Sequence, residues 1–191
     1  MLDKVEAQRF LYKFLREEVT LIELEKWLYS NDELEVLLGE TDYFEFVSRN
    51  YKNKYAYQDT EKQIRRLIHI GFFEQERIVH SLVKLTQCSD EYLSIIATLY
   101  DDYCNGYNFL RFIALTYITT SDEYKEILNH DPNKFREYCQ PINAEANRLL
   151  EFFQKNQLKI EHEKECIDKR EESEKIEIYH VNEMMSNARK E

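Results

Sequence analysis

Apolar positions along this chain recur at the three- and four-residue spacing of an amphipathic helix, not at the two-residue spacing of a strand. From Val5 to about Arg16, Phe10, Leu11, Phe14 and Leu15 share one face. Thr20-Leu21-Ile22-Glu23 is a capping box: the hydroxyl accepts an early backbone N–H and the carboxylate reaches back three residues. It opens a helix through Trp27 and Leu28. Ser30-Asn31-Asp32-Glu33 repeats the signal for a short helix ending at Gly39, and Thr41 or Asp42 starts another through Tyr43, Phe44, Phe46 and Val47. Asn50 to Tyr55 reads as a loop. A helix from Asp59-Thr60 carries Ile64, Leu67 and Ile68; Gly71 breaks or weakens it before Ile78, Leu82 and Leu85 continue the apolar face.

Ser89-Asp90-Glu91 predicts a helix to about Cys104, closed by Asn105-Gly106. Tyr107 to Ile118 is apolar nearly all round and belongs at the centre of the core. Thr120-Ser121-Asp122-Glu123 is a third capping box, and Asp131-Pro132 places a cap before proline at the first helical position. Leu149, Leu150, Phe152 and Phe153 form a further apolar face, whereas Glu161 to Glu174 is almost entirely charged. The expected fold is all-α, an irregular multi-helix bundle of at least six helices. Its domain covers 1–160, and 161–191 forms a long charged C-terminal helix. Lys175 to Val181 alternates every two residues, so a short strand over 175–181 is the alternative. The core is expected to contain Phe10, Phe14, Trp27, Phe44, Ile64, Leu67, Leu110, Ile113 and Leu149.

Composition narrows the function. Three glycines (Gly39, Gly71, Gly106), far apart in 191 residues, exclude a P-loop and a dinucleotide-binding glycine motif. The formal net charge is −11, and it is unevenly spread. Glu17 to Glu45 holds ten acids and one base, a net −9, whereas Phe46 to Arg66 carries a net +4. Such a chain repels phosphates, so direct nucleic-acid binding is not expected, while an acidic lobe steers basic partners. Cys88, Cys104, Cys139 and Cys166 form no Cys-x-x-Cys pair and read as small buried apolar residues. The start lacks a signal-peptide pattern, and the longest apolar run, around Phe112 to Leu115, is too short to span a bilayer. A cytoplasmic protein with reduced thiols and no membrane association is the expectation.

Catalytic chemistry finds little support. His69, His80, His130, His162 and His180 are scattered, and Glu177-Ile178-Tyr179-His180 is the only Glu-x-x-His, where a helical di-metal site needs two. Cys104 lies beside Asp101 and Asp102, whose charge disfavours a thiolate. No catalytic residue, metal or cofactor is assigned. Two tyrosine groups, Tyr51, Tyr55 and Tyr57 beside a basic loop and Tyr100, Tyr103 and Tyr107 around Asn105-Gly106, read as core-boundary residues or as recognition anchors.

Residues 14–54 carry a resemblance. Glu25-Lys26-Trp27-Leu28-Tyr29, Glu33-Leu34-Glu35, Leu38-Gly39, Tyr43 and Ser48-Arg49-Asn50-Tyr51-Lys52-Asn53-Lys54 resemble a pattern in small acidic bacterial immunity proteins of polymorphic and contact-dependent toxin systems. The stretch from Phe14 to Leu24 is also similar to the opening of colicin-type tRNase immunity proteins. The resemblance implies a non-enzymatic, stoichiometric inhibitor of a cognate toxin, a nuclease whose basic groove the acidic face would cover. The expected contacts are Glu33, Glu35, Glu40, Asp42, Tyr43, Glu45 and Tyr51, with Tyr43 or Tyr51 as anchors and Trp27 in the core. The alternatives are a phage or bacterial regulator that inhibits a defence or nucleic-acid enzyme by acidic mimicry, and a helical metal-dependent hydrolase. A coiled-coil adaptor ranks below these, because only Cys166, Ile167 and Ile176 support its seam.

Overall fold

The computed structural model describes residues 2–89 and 91–175. The fold is mostly α-helical, with nine α-helices and one two-stranded hairpin among the described residues. The chain divides into two compact units, 1–73 and 74–191.

In the first unit, α1 (Lys4–Leu15) starts at a capping box in which Asp3 accepts the Glu6 N–H (2.8 Å) and Glu6 accepts the Asp3 N–H (3.1 Å). The expected box at Thr20 opens α2 (Leu21–Tyr29): the Thr20 hydroxyl accepts the Glu23 N–H at 3.3 Å, and Glu23 returns to the Thr20 N–H at 2.8 Å. The second expected signal works in reverse. Ser30 Oγ and Asn31 Nδ2 donate to the Lys26 and Trp27 carbonyls, each at 2.7 Å, so they close α2 instead of capping the next helix. The following helices are α3 (Leu34–Leu38), α4 (Glu40–Val47) and α5 (Ala56–Leu67). Gly39 joins α3 to α4 at φ +93°, a backbone state that other residues resist. α1 packs on α2, α3 and α5, while α4 packs on α2 and α3. Ala7, Leu11, Phe14, Leu24, Leu28, Phe46 and Ile64 form the core of this unit. Trp27 stacks on Phe10 at 4.2 Å; both, like Leu67, sit at the core's edge, half-buried.

The expected break near Gly71 falls earlier. Ile68 is extended (φ −115°, ψ 152°), and α6 (Ile70–Thr86) contains Gly71 in its first turn. In the second unit α7 (Tyr92–Cys104) ends at Asn105-Gly106 as expected, although Glu91, not a Ser or Asp, stands at its N-cap without a side-chain bond; Asp90 lies outside the described residues. α8 (Arg111–His130) runs straight through Thr120, so the third capping box is not a helix start. No glycine or proline lies near enough to interrupt the backbone ladder there. α9 (Pro132–Gln154) opens as expected: the Asp131 carboxylate accepts the Asn133 and Lys134 N–H groups at 3.0 and 3.2 Å. α8 packs between α7 and α9. Leu110, Ile113 and Leu149 are fully buried in this core, as expected.

The charged C-terminal helix is a correction. α9 stops at Gln154, Asn156 takes the left-handed state (φ +54°), and the chain returns as an antiparallel hairpin of β1 (Leu158–His162) and β2 (Glu165–Asp168). Leu158 and Ile160 alternate into the core with Lys159 outside, a two-residue period that a helix cannot bury on one face. A short 3₁₀ turn follows over Glu172–Glu174. The rest of the expected extension, the strand expected over 175–181 beyond Lys175, and Glu177-x-x-His180 lie outside the described residues. No described helix is long and apolar enough to cross a membrane.

Candidate partner-binding face

The three sides of α4 face three surroundings, because each helical residue turns about 100° from the last. Phe46 enters the core, with Tyr43 half-buried beside it. Asp42 and Glu45 face α5, where Arg66 Nη2 meets both carboxylates at 2.9 Å. Glu40, Phe44 and Val47 line an open cleft of about 580 Å³ together with Thr41, Tyr43 and, from α3, Glu35.

Phe44 is therefore a correction to the expected core. It is 67% exposed, and Val36 on α3 is 87% exposed. Two positions separate Phe44 from Phe46, which turns them roughly 200° apart on the helix; both cannot enter one core. The periodic trio Glu40, Phe44 and Val47 is the signal in the sequence that would have found this face.

The seven expected contact residues separate by environment. Glu35 and Glu40 are exposed at the cleft, and no cation pairs with either among the described residues. Glu33 accepts the Leu2 N–H at 2.9 Å. Asp42 and Glu45 share Arg66, whose own pKa is raised first by the Glu45 hydrogen bond and then by that from Asp42. Glu45 also lies 3.4 Å from Arg49. Tyr43 lines the cleft while packing on the core. Tyr51 is occupied internally: its hydroxyl donates to the Phe46 carbonyl at 3.0 Å, and burial pushes its pKa well up. The acidic face thus keeps two free carboxylates at the cleft and loses others to internal bonds.

Behind the face, Arg49 holds α4 to α5. Its guanidinium donates to Thr60 Oγ1 and Gln63 Oε1, each at 2.8 Å, and Gln63 Nε2 donates to the Asp42 carbonyl at 2.8 Å. On the outer side, the Tyr29 hydroxyl donates to the Val47 carbonyl at 2.8 Å, adding an exposed ring beside the cleft.

The buried ionisable groups of the second unit are bound into structure. Arg77 makes two 2.8 Å bonds to the buried Asp102 and one of 2.6 Å to the buried Glu74. Glu145, buried and with its pKa raised by desolvation against the pull of Arg148, pairs with Arg148 at 2.7 and 2.9 Å. Burial pushes the Cys139 thiol up to about 12, far from a reactive thiolate. Cys104, by contrast, is exposed, which corrects its expected burial. Among the described residues no three His, Cys, Asp or Glu side chains gather as a metal would require. Comparison of the chain with known protein families, curated proteins and solved structures finds no match.

Proposed function

We propose that the protein is a non-enzymatic binding protein, a stoichiometric inhibitor that neutralises a basic bacterial toxin, a nuclease, through its acidic N-terminal third in the cytoplasm. The observation that carries this reading is the cleft at α3 and α4: an exposed phenylalanine, Phe44, beside the half-buried Val47, bordered by Glu35 and Glu40, carboxylates with no cation of their own among the described residues. Protein–protein contacts combine an apolar centre with a charged rim, and aromatic side chains are enriched where binding energy concentrates. The resemblance of residues 14–54 to toxin immunity proteins points the same way. So does the charge pattern, with a net −9 between Glu17 and Glu45.

The test is co-expression with the product of the adjacent gene. Growth rescue, together with a one-to-one complex that survives size-exclusion chromatography, is the expected result. Absence of any basic toxin beside the gene, or a toxin that stays active in the presence of excess protein, would end the inhibitor reading. A regulator acting by acidic mimicry would instead sit in a phage early region and bind a nucleic-acid enzyme there.

A further inference from the structure

We infer that the α3–α4 cleft takes an apolar side chain from a cationic amphipathic helix, so that Phe44 anchors the partner while Glu35 and Glu40 guide it in. This inference rests on the reading of the chain as a binding protein and specifies what the cleft binds.

Pure phosphate mimicry needs a run of uncompensated carboxylates, and α4 does not offer one. Asp42 and Glu45 already share the Arg66 guanidinium at 2.9 Å, which leaves Glu35 and Glu40 at the cleft. Between them lies apolar surface: Phe44 is 67% exposed, and Val47 and the Tyr43 ring form the walls. A volume of about 580 Å³ is ample for a large side chain. Two carboxylates at the edge repel nucleic acid, and they equally repel a second copy of a chain with net charge −11. Among the described residues the first unit has no strand, hence no sheet edge to which a peptide could add. Side-chain insertion remains, and the helix-in-groove mode presents apolar residues at three- and four-residue spacing with Lys and Arg beside them. The two kinds of contact act at different moments. Rim charges govern encounter and are screened by salt; a buried apolar anchor governs residence and is not.

Two fluorescent peptides of about 14 residues, four helical turns, test this on the full-length chain. One places Leu and Phe on one face and Lys on the other; the second has the same composition in an order that forms no apolar face. Anisotropy should show the first binding at least about tenfold more tightly, with backbone amide shifts concentrated in α3 and α4. Phe44→Ser should reduce the first peptide to the level of the second, with Phe44→Leu restoring most of the difference. Phe44→Ser should keep the wild-type far-UV circular dichroism and urea midpoint, because Phe44 is exposed and outside the core, so that the loss does not come from α4 unfolding. Glu35→Lys combined with Glu40→Lys should weaken the first peptide at low salt and flatten its salt dependence. Equal binding of the two peptides, shifts centred elsewhere, or an unchanged Phe44→Ser would overturn the inference. Toxin rescue that survives Phe44→Ser would reject the anchor and keep the inhibitor. Peptide discrimination without any rescue would keep the cleft's chemistry and reject the inhibitor.

Discussion

At Arg49 one guanidinium bonds to two side chains that water scarcely reaches, Thr60 and Gln63, which are 0% and 2% exposed. In the sequence Arg49 borders a basic loop; nothing local marks it as the link between α4 and α5, because its partners lie 11 and 14 positions away. Replacing it, as in Arg49→Met, strands buried acceptors, and each unmade bond of this kind costs about 1–3 kcal/mol. Urea unfolding should register a loss of about 2–3 kcal/mol, with weaker partner binding because Asp42 and α4 lose their hold. A charged pair in the second unit makes a prediction in pH. Burial alone would raise the Asp168 carboxyl, but hydrogen bonds and charge from the buried Arg170, at 2.7 and 2.8 Å, hold it below its ordinary 3.8. A carboxyl lowered in the folded state stabilises the fold above its unfolded pKa and loses that contribution as pH falls through the folded one. Asp168→Asn should therefore be less stable than wild type at neutral pH. Thermal melts should show the gap narrowing as the pH drops below 3.8.

Element boundaries were legible wherever a cap is a local chemical event. Thr20 with Glu23, Asp131 before Pro132, and Asn105-Gly106 all act within a few residues of themselves. Thr20→Ala should cost about 1 kcal/mol, and helical circular dichroism should fall only slightly at room temperature. Gly39 is equally local: at φ +93°, with nothing within 4 Å of an added Cβ, Gly39→Ala meets backbone strain alone. That strain is worth about 1–3 kcal/mol and should appear as an earlier urea midpoint. The same signals mislead where a neighbour decides. Ser30 and Asn31 can bond forwards or backwards, and the Trp27 carbonyl takes Asn31. Beyond Phe153 the charged sequence looks helical until Asn156 is allowed its left-handed turn, after which Leu158 and Ile160 alternate into the core as β1. Charge density alone does not distinguish a solvated helix from the outer face of a hairpin.

Across the whole molecule, the acidity visible in the sequence overstates the charge available to a partner. Asp42 and Glu45 lie 21 to 24 positions from Arg66 in the chain, so their mutual compensation is a property of the fold and not of any local pattern. The same folding exposes Phe44, which its aromatic neighbours in the sequence would place inside. The candidate face was thus half legible: its carboxylates could be read from composition and its apolar face from the Glu40, Phe44 and Val47 spacing, but the acids that Arg66 neutralises only from the fold. Recognition by this face combines guiding charge with an anchoring ring in the proposed complex. The most direct measurement is stopped-flow association and dissociation of the full-length chain with the purified basic product of the adjacent gene. Salt should run from about 0.1 M to 1 M, over which the screening length falls from about 10 Å to 3 Å. For wild type the association rate should fall steeply while the dissociation rate changes little. Glu35→Lys with Glu40→Lys should lower and flatten the association rate, and Phe44→Ser should instead raise the dissociation rate about tenfold or more. A Phe44→Ser protein that dissociates like wild type, or an association rate indifferent to salt and to both charge reversals, would contradict the account.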